Sequence, residues 1–142
     1  MIAPDANLLI YAYDQDSPFN VRAMRWLSAL LSSAEPVGVP IFAAHGFVRF
    51  VTNARLHKRP ATFREASSII NSWLDLPQVR ILYPGERHWN LFQQLCSEAK
   101  LRGADLTDGA IAAIALEHGA VIYTSDRDFA RFTGLRWHNP LE

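Results

Sequence analysis

Aspartates follow two of the strands that the sequence predicts, and two more open a predicted helix. Asp5 comes directly after a short apolar strand at the start of the chain, and Asp126 and Asp128 follow a second apolar strand near its end. Asp105 and Asp108 open the helix before that second strand. Because the carboxyl ends of parallel strands meet at one edge of a sheet, we expect these side chains to gather there. Carboxylates gathered in this way repel one another unless a divalent cation stabilises their charged forms.

Oxygen ligands of this kind suit Mg²⁺ or Mn²⁺ rather than zinc, and such metals typically serve phosphoryl chemistry. The glycine patterns G-x-G-x-x-G and G-x-x-x-x-G-K-[ST], which bring a backbone close to nucleotide phosphates, are absent. A structural role is open to some of the acids, since Asp105 and Asp108 match a capping pair and Asp128 could cap a short helix. Asp5 and Asp126 fit such a role less well, because a charged side chain directly after a buried strand needs a partner.

The elements that would position these acids alternate along the chain as short apolar strands and longer amphipathic helices. The predicted strands are a first strand that ends near Asp5, followed by residues 37–39, 79–82, 120–124 and 135–137. The predicted helices begin at Ser17-Pro18, at residue 41, at a Thr62/Glu65 capping box, near Trp89, and at Asp105 or Thr107. Gly103 lies at the carboxyl end of the fourth of these helices, and Gly119 lies at the carboxyl end of the fifth. This alternation predicts an α/β fold in which a parallel sheet is covered by helices on both faces. No linker or repeat interrupts it, so residues 1–142 are expected to form one domain.

The amino-acid composition limits further which classes of protein fit this chain. The 14 Lys and Arg balance the 14 Asp and Glu, which excludes the strongly basic charge that by itself indicates nucleic-acid binding. This balance does not exclude a local basic patch, since positive charge concentrates between Arg49 and Arg64. The single cysteine, Cys96, lies in an apolar helical pattern and is expected to be a small core residue in a reducing compartment. Neither a signal peptide nor a membrane-spanning stretch is visible.

Four segments carry a family resemblance over nearly the whole chain. They read PDANLLIYA at 4–12, FVRFVTN at 47–53, TDGAIAA at 107–113 and TSDRDF at 124–129, and GLRWHNP follows at 134–140. In this order and spacing they resemble the PIN-domain nucleases and, more narrowly, the VapC-type toxins of bacterial and archaeal toxin–antitoxin pairs. The resemblance implies a PIN-like three-layer α/β/α fold with a twisted, mainly parallel sheet of about five strands.

The resemblance also implies a function and a set of site residues. The family's acids fall on Asp5, Asp108 and Asp126, which would bind Mg²⁺ or Mn²⁺, with Asp128 as a more variable catalytic companion. Asn7 and Ser125 match small polar positions beside those acids, where the resemblance implies that they hold the acids in place. The metal would orient a water, lower its pKa and offset charge on an RNA phosphate, so that the chain would be a metal-dependent endoribonuclease. Asp105 has no clear family counterpart and is expected to be a helix cap.

One departure from the family pattern lies on the predicted helix that begins at residue 41. Many PIN nucleases carry a glutamate a few residues before the position of Arg49, where this chain has His45 and Gly46. The missing carboxylate is expected to weaken a second metal rather than remove the site. His45 could be a ligand or proton carrier, but a lone histidine on an apolar helix favours a packed core position. Arg49 and Arg127 are candidates for contact with RNA phosphates, and Arg49 could equally pair with the acids.

Partners and location follow from the same resemblance. VapC-type toxins imply a cognate antitoxin protein, a homodimer, an RNA substrate and a cytoplasmic location. The alternative function is a catalytically weak or inactive PIN-like domain that binds RNA or a partner protein without cutting. A receiver domain is less consistent, because its site needs a lysine after the last strands and the only lysines are Lys58 and Lys100. A hydrolase with a phosphorylated aspartate usually needs a second acid two residues after the first, where Asn7 stands.

Overall fold

Five parallel strands form the centre of the computed structural model, which describes all of residues 1–142. They are β1 (Ile2–Pro4), β2 (Val37–Pro40), β3 (Val79–Leu82), β4 (Val121–Tyr123) and β5 (Trp137–His138). Their order across the sheet is β3-β2-β1-β4-β5, and every neighbouring pair is parallel. The strand order therefore reverses at β1, whose two neighbours are β2 and β4, and this is where a ligand site is expected in an open α/β sheet.

Six α-helices surround the sheet. They are α1 (Ala6–Tyr13), α2 (Asn20–Leu31), α3 (Ile41–Val51), α4 (Phe63–Leu74), α5 (His88–Glu98) and α6 (Leu106–His118), with 3₁₀ turns at Gly103–Asp105 and Arg127–Arg131. None of these helices combines the length and the apolar composition that crossing a bilayer requires.

The sheet is covered on both faces because alternate strand residues enter two different hydrophobic clusters. Ala3 and Ile122 lie in a cluster with residues of α5 and α6, whereas Ile2, Val37 and Val79 lie in a cluster with residues of α2, α3 and α4. Successive side chains of a strand point to opposite faces, so this alternation places one helical layer on each side. The expected three-layer α/β/α fold is confirmed.

Several local predictions are confirmed by the structure. The helix predicted from residue 41 runs from Ile41 to Val51, and the capping box of α4 is complete: Glu65 N donates to Thr62 Oγ1 at 3.1 Å, and Thr62 N donates to Glu65 Oε1 at 3.2 Å. Gly119 ends α6 in the left-handed region at φ 65°. Cys96 is a buried free thiol.

Other predicted boundaries are wrong. Helix α2 begins at Asn20 rather than at Pro18, because the Ser17 hydroxyl accepts the Phe19 N–H at 3.1 Å and shapes a turn before the helix. Lys100, at φ 55°, takes the left-handed position after α5, and Gly103 opens the following 3₁₀ turn instead of ending the helix. The last strand covers 137–138 rather than 135–137.

Helices α5 and α6 pack closely where Gly109 faces Cys96. A Cβ atom built on Gly109 would lie 2.5 Å from Cys96 Sγ and 3.3 Å from Leu101 Cδ1, far inside normal contact distance. Gly109 follows Asp108 directly, so this contact with α5 lies next to Asp108 in the first turn of α6. The absence of a side chain at Gly109 is therefore a packing requirement of the layer that carries Asp108.

We expect Gly109→Ala to lower the free energy of unfolding by about 1–2 kcal/mol, since overpacking at the α5–α6 contact outweighs the better helix propensity of alanine. Cys96→Ala in the same chain removes the clashing sulfur, so the double variant should be more stable than the sum of the two single effects predicts. Urea unfolding of the four chains measures this coupling. Strict additivity would show that the two residues do not interact.

Candidate functional site

Asp5 is buried at the carboxyl end of β1, with 6% of its surface exposed. Its backbone N–H donates to the Tyr123 carbonyl at 2.9 Å and so ties the end of β1 to β4. Its carboxylate accepts two hydrogen bonds, from the Ala6 N–H at 2.8 Å and from the Thr124 hydroxyl at 2.9 Å. Burial raises the pKa of Asp5 in spite of these two bonds, and the nearby charge of Asp126 raises it further. These hydrogen bonds thus hold the carboxylate in place, but they do not fully offset the cost of burying its charge.

Thr124 is the junction that joins the polar groups of this edge. Its hydroxyl, which is fully buried, donates its single proton to Asp5 Oδ2 and accepts the Asp126 N–H at 3.0 Å and Asn7 Nδ2 at 3.2 Å. A hydroxyl has one donor and two acceptor positions, so all three are in use. Thr124 therefore fixes β1, β4 and the start of α1 relative to one another.

Asn7 and Ser125 lie beside this junction, where the sequence placed them. Asn7 Nδ2 donates to Ser125 Oγ at 3.0 Å in addition to its bond to Thr124. Neither side chain forms a hydrogen bond to a carboxylate: Asn7 bonds to Thr124, which in turn bonds to Asp5, and Ser125 bonds to Asn7.

Asp126 and Asp128 differ in position although they are two residues apart. Asp126 Oδ1 accepts the Asp128 N–H at 2.9 Å, so Asp126 rather than Asp128 caps the 3₁₀ turn that follows. Its charge acts on both Asp5 and Asp108. The Asp128 side chain is exposed on the rim and forms no hydrogen bond or ion pair. The structure therefore brings Asp126 to the acidic edge and leaves Asp128 outside it.

Asp108 lies in the first turn of α6, half-buried and facing the other acids. Burial, the charges of Asp5 and Asp126, and a smaller contribution from Asp105 raise its pKa to about 6, and the Arg131 guanidinium opposes that rise. Burial is the largest of these causes, and the added contributions of Asp5 and Asp126 place the three carboxylates near one another at the carboxyl edge of the sheet.

Arg131 is a site residue that sequence reasoning missed. Its Nη2 lies 3.5 Å from Asp108 Oδ2 and its Nη1 lies 3.9 Å from Asp105 Oδ2, while its guanidinium stands 5.2 Å from the centre of the Phe132 ring. Its Nε is buried without a hydrogen-bond partner. The arginine follows Asp108 by 23 residues and joins it only through the fold, so no local spacing pattern could have found it.

Asp105 does not cap α6 as expected. It occupies the residue before the helix, but its side chain accepts no hydrogen bond from the first turn. It is instead the exposed partner in the longer of the two Arg131 ion pairs. The capping interpretation of Asp105 is therefore wrong, and Asp105 acts as an outer member of the acidic cluster.

Of the two residues at the place of the absent glutamate, Gly46 faces α1 and His45 does not. A Cβ built on Gly46 would lie 3.3 Å from the Ala6 Cβ, beside the residue that follows Asp5. His45 points to the other side of α3, where it is exposed on an apolar groove of about 380 Å³ between α3 and α4. The expectation that His45 packs in the core is wrong, because its helical position faces this groove.

The two candidate arginines have different surroundings. Arg49 is exposed and has no carboxylate within 4.0 Å, so its proposed pairing with the acids is not observed and Arg131 takes that role. Arg127 Nη2 lies 2.9 Å from Glu142 Oε1, and both side chains are largely exposed. Exposed pairs of this kind contribute little stability, so Arg127 remains free to exchange Glu142 for another anion.

The donor chemistry fits a hard divalent cation. No group of three or more His, Cys, Asp or Glu side chains is arranged in this structure so that it could hold a metal ion. Asp126 nevertheless raises the pKa of Asp5, and both acids raise the pKa of Asp108, which is an electrostatic condition that a bound cation relieves. Mg²⁺ commonly keeps several waters and uses only one or two carboxylates, so an open set of oxygens suits it.

The sequence of the chain matches a protein family model and a named relative. The PIN domain family model matches residues 2–135. Ribonuclease VapC43 from Mycobacterium tuberculosis strain H37Rv is 39% identical over 142 residues, which covers 100% of this chain and 97% of that protein.

Two solved structures are similar in fold. The structure of VapBC-1 from nontypeable Haemophilus influenzae has a TM-score of 0.72 at 20% identity and covers 100% of both chains. A toxin–antitoxin complex from Klebsiella pneumoniae has a TM-score of 0.65 at 18% identity and covers 99% of this chain and 98% of that chain.

We expect Thr124→Val to destabilise the protein by about 1–3 kcal/mol, because it leaves a buried Asp5 oxygen and the Asp126 N–H without their partner. Thr124→Ser keeps the hydroxyl and is the matched control, with a smaller loss that reflects one methyl group. Urea unfolding at neutral pH compares the two. A valine variant as stable as the serine variant would contradict the role of the hydroxyl.

The acidic cluster should also make stability depend on pH. Because the pKa of Asp108 is raised to about 6 in the folded chain, the folded state binds a proton that the unfolded state has already lost. The stabilisation is complete below the unfolded pKa and is lost as pH rises through about 6. Between pH 5 and pH 7.5 the metal-free protein should lose about 1 kcal/mol that Asp108→Asn does not lose. Urea unfolding in chelator measures both chains, and equal losses would contradict the assignment.

Proposed function

The chain belongs to the PIN domain family, and from that premise we propose that it is a ribonuclease toxin that hydrolyses RNA phosphodiesters at a Mg²⁺ or Mn²⁺ centre. The family model spans nearly the whole chain, and the 39% identical relative that the chain matches over its full length is named a ribonuclease. Asp5, Asp108 and Asp126 are the residues that we propose to hold the metal.

The observation that carries this proposal is the burial of Asp5 at the carboxyl end of β1, where the strand order reverses and where Asp108 and Asp126 lie near it. Burial is the larger cause of the raised pKa of Asp5 and of Asp108; Asp126 adds to the first, and Asp5 and Asp126 add to the second. Burying and crowding carboxylates in this way does not stabilise a fold. Perturbed carboxylates at a strand-order reversal are typical of a functional site.

A divalent cation bound among these acids would supply a Lewis acid for the phosphate and an activated water. The protein contributes the positions of the ligands. Asp5 is held by Thr124 and the Ala6 N–H, and Asp126 is held through its own backbone N–H and its bond to the Asp128 N–H. Asp108 is held by Arg131, whose positive charge limits the repulsion before metal and substrate arrive. We assign Asn7 and Ser125 to the support of this arrangement and Asp128 to its solvent rim, where it can interact with water or substrate.

We propose that Arg49 and Arg127 contact the RNA backbone. Arg49 has no carboxylate partner, and Arg127 has only an exposed one that a phosphate can replace. Guanidinium groups bind phosphate oxygens with two parallel hydrogen bonds, so both residues suit this role.

The partners that we propose are an antitoxin protein and a second copy of this chain. The antitoxin is supported by the fold that the chain shares with VapBC-1 and with a toxin–antitoxin complex. We place the protein in the cytoplasm, where its RNA substrate lies, and treat residues 1–142 as one domain because both main hydrophobic clusters are built on the same sheet.

A second candidate function is an RNA-binding or protein-binding module that does not cut. Gly46 favours it, because this residue leaves no carboxylate at the position beside Ala6 where many PIN nucleases have glutamate. Such a module would bind its partner in chelator and leave RNA intact with either metal.

We expect Asp5→Asn to reduce metal-dependent RNA cleavage to less than about a hundredth, because it removes the buried ligand on which the site is built. Asp75→Asn, which changes an exposed acid at the end of α4, is the matched control and should cut as the unmodified chain does. Cleavage of total cellular RNA by antitoxin-free protein, with Mg²⁺, Mn²⁺ or chelator, measures the effect. Full cleavage by Asp5→Asn would contradict the metal assignment, and a folded unmodified chain that never cuts would favour the binding module.

A further inference from the structure

A groove between α1 and α3 leads away from the acidic edge. Its concavity, of about 320 Å³, begins at Ala6, the residue after Asp5, and ends at Leu56. Between these ends it is lined by Gly46, Arg49 and Asn53 among others. Gly46 has no side chain at this end, and a Cβ built on it would lie 3.3 Å from the Ala6 Cβ. We refer to it as the α1/α3 groove.

A second concavity of about 590 Å³ lies next to the α1/α3 groove, since Leu56 lines both. The second concavity is formed by residues 56–59 of the loop after α3 together with Asp16. Three cationic side chains are exposed on this loop: Arg55, Lys58 and Arg59. We refer to residues 55–59 as the basic loop.

The basic loop is held in place by contacts with the end of α3. Asn53 Oδ1 accepts the Arg55 N–H at 2.9 Å, and His57 Nε2 donates to the Phe50 carbonyl at 3.0 Å while its ring packs edge-on against the Phe50 ring. Beyond the loop, the Ala61 N–H donates to the Val51 carbonyl at 2.9 Å. The cations therefore stand on a loop whose path is fixed at both ends.

None of these cations has a carboxylate partner. The ion pairs of the chain involve only Arg127 and Arg131, so Arg49, Arg55, Lys58 and Arg59 have no carboxylate oxygen within 4.0 Å. Asp16, which lines the same concavity, accepts no ion pair from them. A row of unpaired cations beside a groove attracts an extended polyanion, and one end of this groove lies at Ala6, the residue after Asp5.

We propose that one strand of the RNA substrate runs from the acidic centre along the α1/α3 groove and places its phosphates on the basic loop. This inference rests on the proposed function, since it takes the acidic centre as the cleavage site. Arg49 contacts the strand within the groove, and Arg55, Lys58 and Arg59 contact phosphates beyond it. The basic loop thus sets affinity for RNA, whereas the acids carry out the chemistry.

An RNA strand suits this surface better than an acidic protein segment. Its charge is regularly spaced along an extended chain, so several phosphates can meet cations that are distributed from Arg49 to Arg59. The same strand must also present a phosphodiester to the acids at the other end of the groove, which an acidic peptide cannot do.

The test is RNA binding in chelator, where metal-dependent cleavage does not occur. A labelled, mixed-sequence single-stranded RNA is titrated with the unmodified chain and with the triple variant Arg55→Gln, Lys58→Gln, Arg59→Gln over a range of salt concentrations. Loss of three phosphate contacts should reduce the slope of log K against log salt by about 2 and weaken binding at low salt by on the order of 10-fold. The matched control, Arg25→Gln, Arg80→Gln, Arg87→Gln, has the same charge change at exposed arginines outside the groove and should keep the original slope.

An unchanged slope for the triple variant, or an equal change in the control, would overturn the proposal. Cleavage with Mg²⁺ or Mn²⁺ is measured separately and should show a raised KM with kcat retained for the triple variant, while a loss of kcat with KM unchanged would also overturn it. If RNA is cut but the slope does not change, only the groove proposal fails. If the slope changes but no chain cuts RNA, only the proposed nuclease function fails. Far-ultraviolet circular dichroism verifies that each variant is folded.

Discussion

The burial of one carboxylate, Asp5, is the constraint on which this structure depends. A charged group at the end of a central strand is costly unless hydrogen bonds replace the water that it loses. Thr124, at the end of the neighbouring strand, and the first amide of α1 provide them. The adjacency of β1 and β4, the entry into α1 and the turn that begins at Asp126 are all tied to this carboxylate through Thr124.

The groups around Asp5 and Asp108 offset only part of the cost of burying these acids, and this has a consequence for function. The pKa of Asp5 stays raised despite two hydrogen bonds, and the pKa of Asp108 is raised although Arg131 lies near it. A hydrophobic residue at Asp108 would remove this repulsion, so retaining the acid costs stability. The Gly109–Cys96 contact brings the first turn of α6, which carries Asp108, close to α5. The fold therefore keeps acids with raised pKa values close together, where a bound cation would stabilise their charged forms.

The parts of this site that local sequence predicts are those that depend on strand and helix ends. Asp5 and Asp126 follow apolar strands, so their convergence could be inferred from the parallel order of the sheet. Arg131 and the role of Thr124 could not, because both act through contacts between residues far apart in the chain. The choice between His45 and Gly46 likewise required knowing which side of α3 faces α1. Local patterns predict elements and their ends, whereas the partners across elements depend on packing.

The separation of acids and unpaired cations along one groove also affects how copies of the protein meet. The chain has no net charge at pH 7 and a pI of about 7.0, yet its positive and negative groups are concentrated at different places. Such a molecule has an electric dipole but no net charge. Two copies therefore do not repel each other through a net charge at long range. The basic loop of one copy can then meet the acidic edge of another. Because the screening length shortens from about 30 Å at 0.01 M salt to about 8 Å at 0.15 M, added salt weakens this head-to-tail attraction. The protein is consequently expected to dissolve better in moderate salt than in salt-free buffer, the reverse of what charge repulsion would produce.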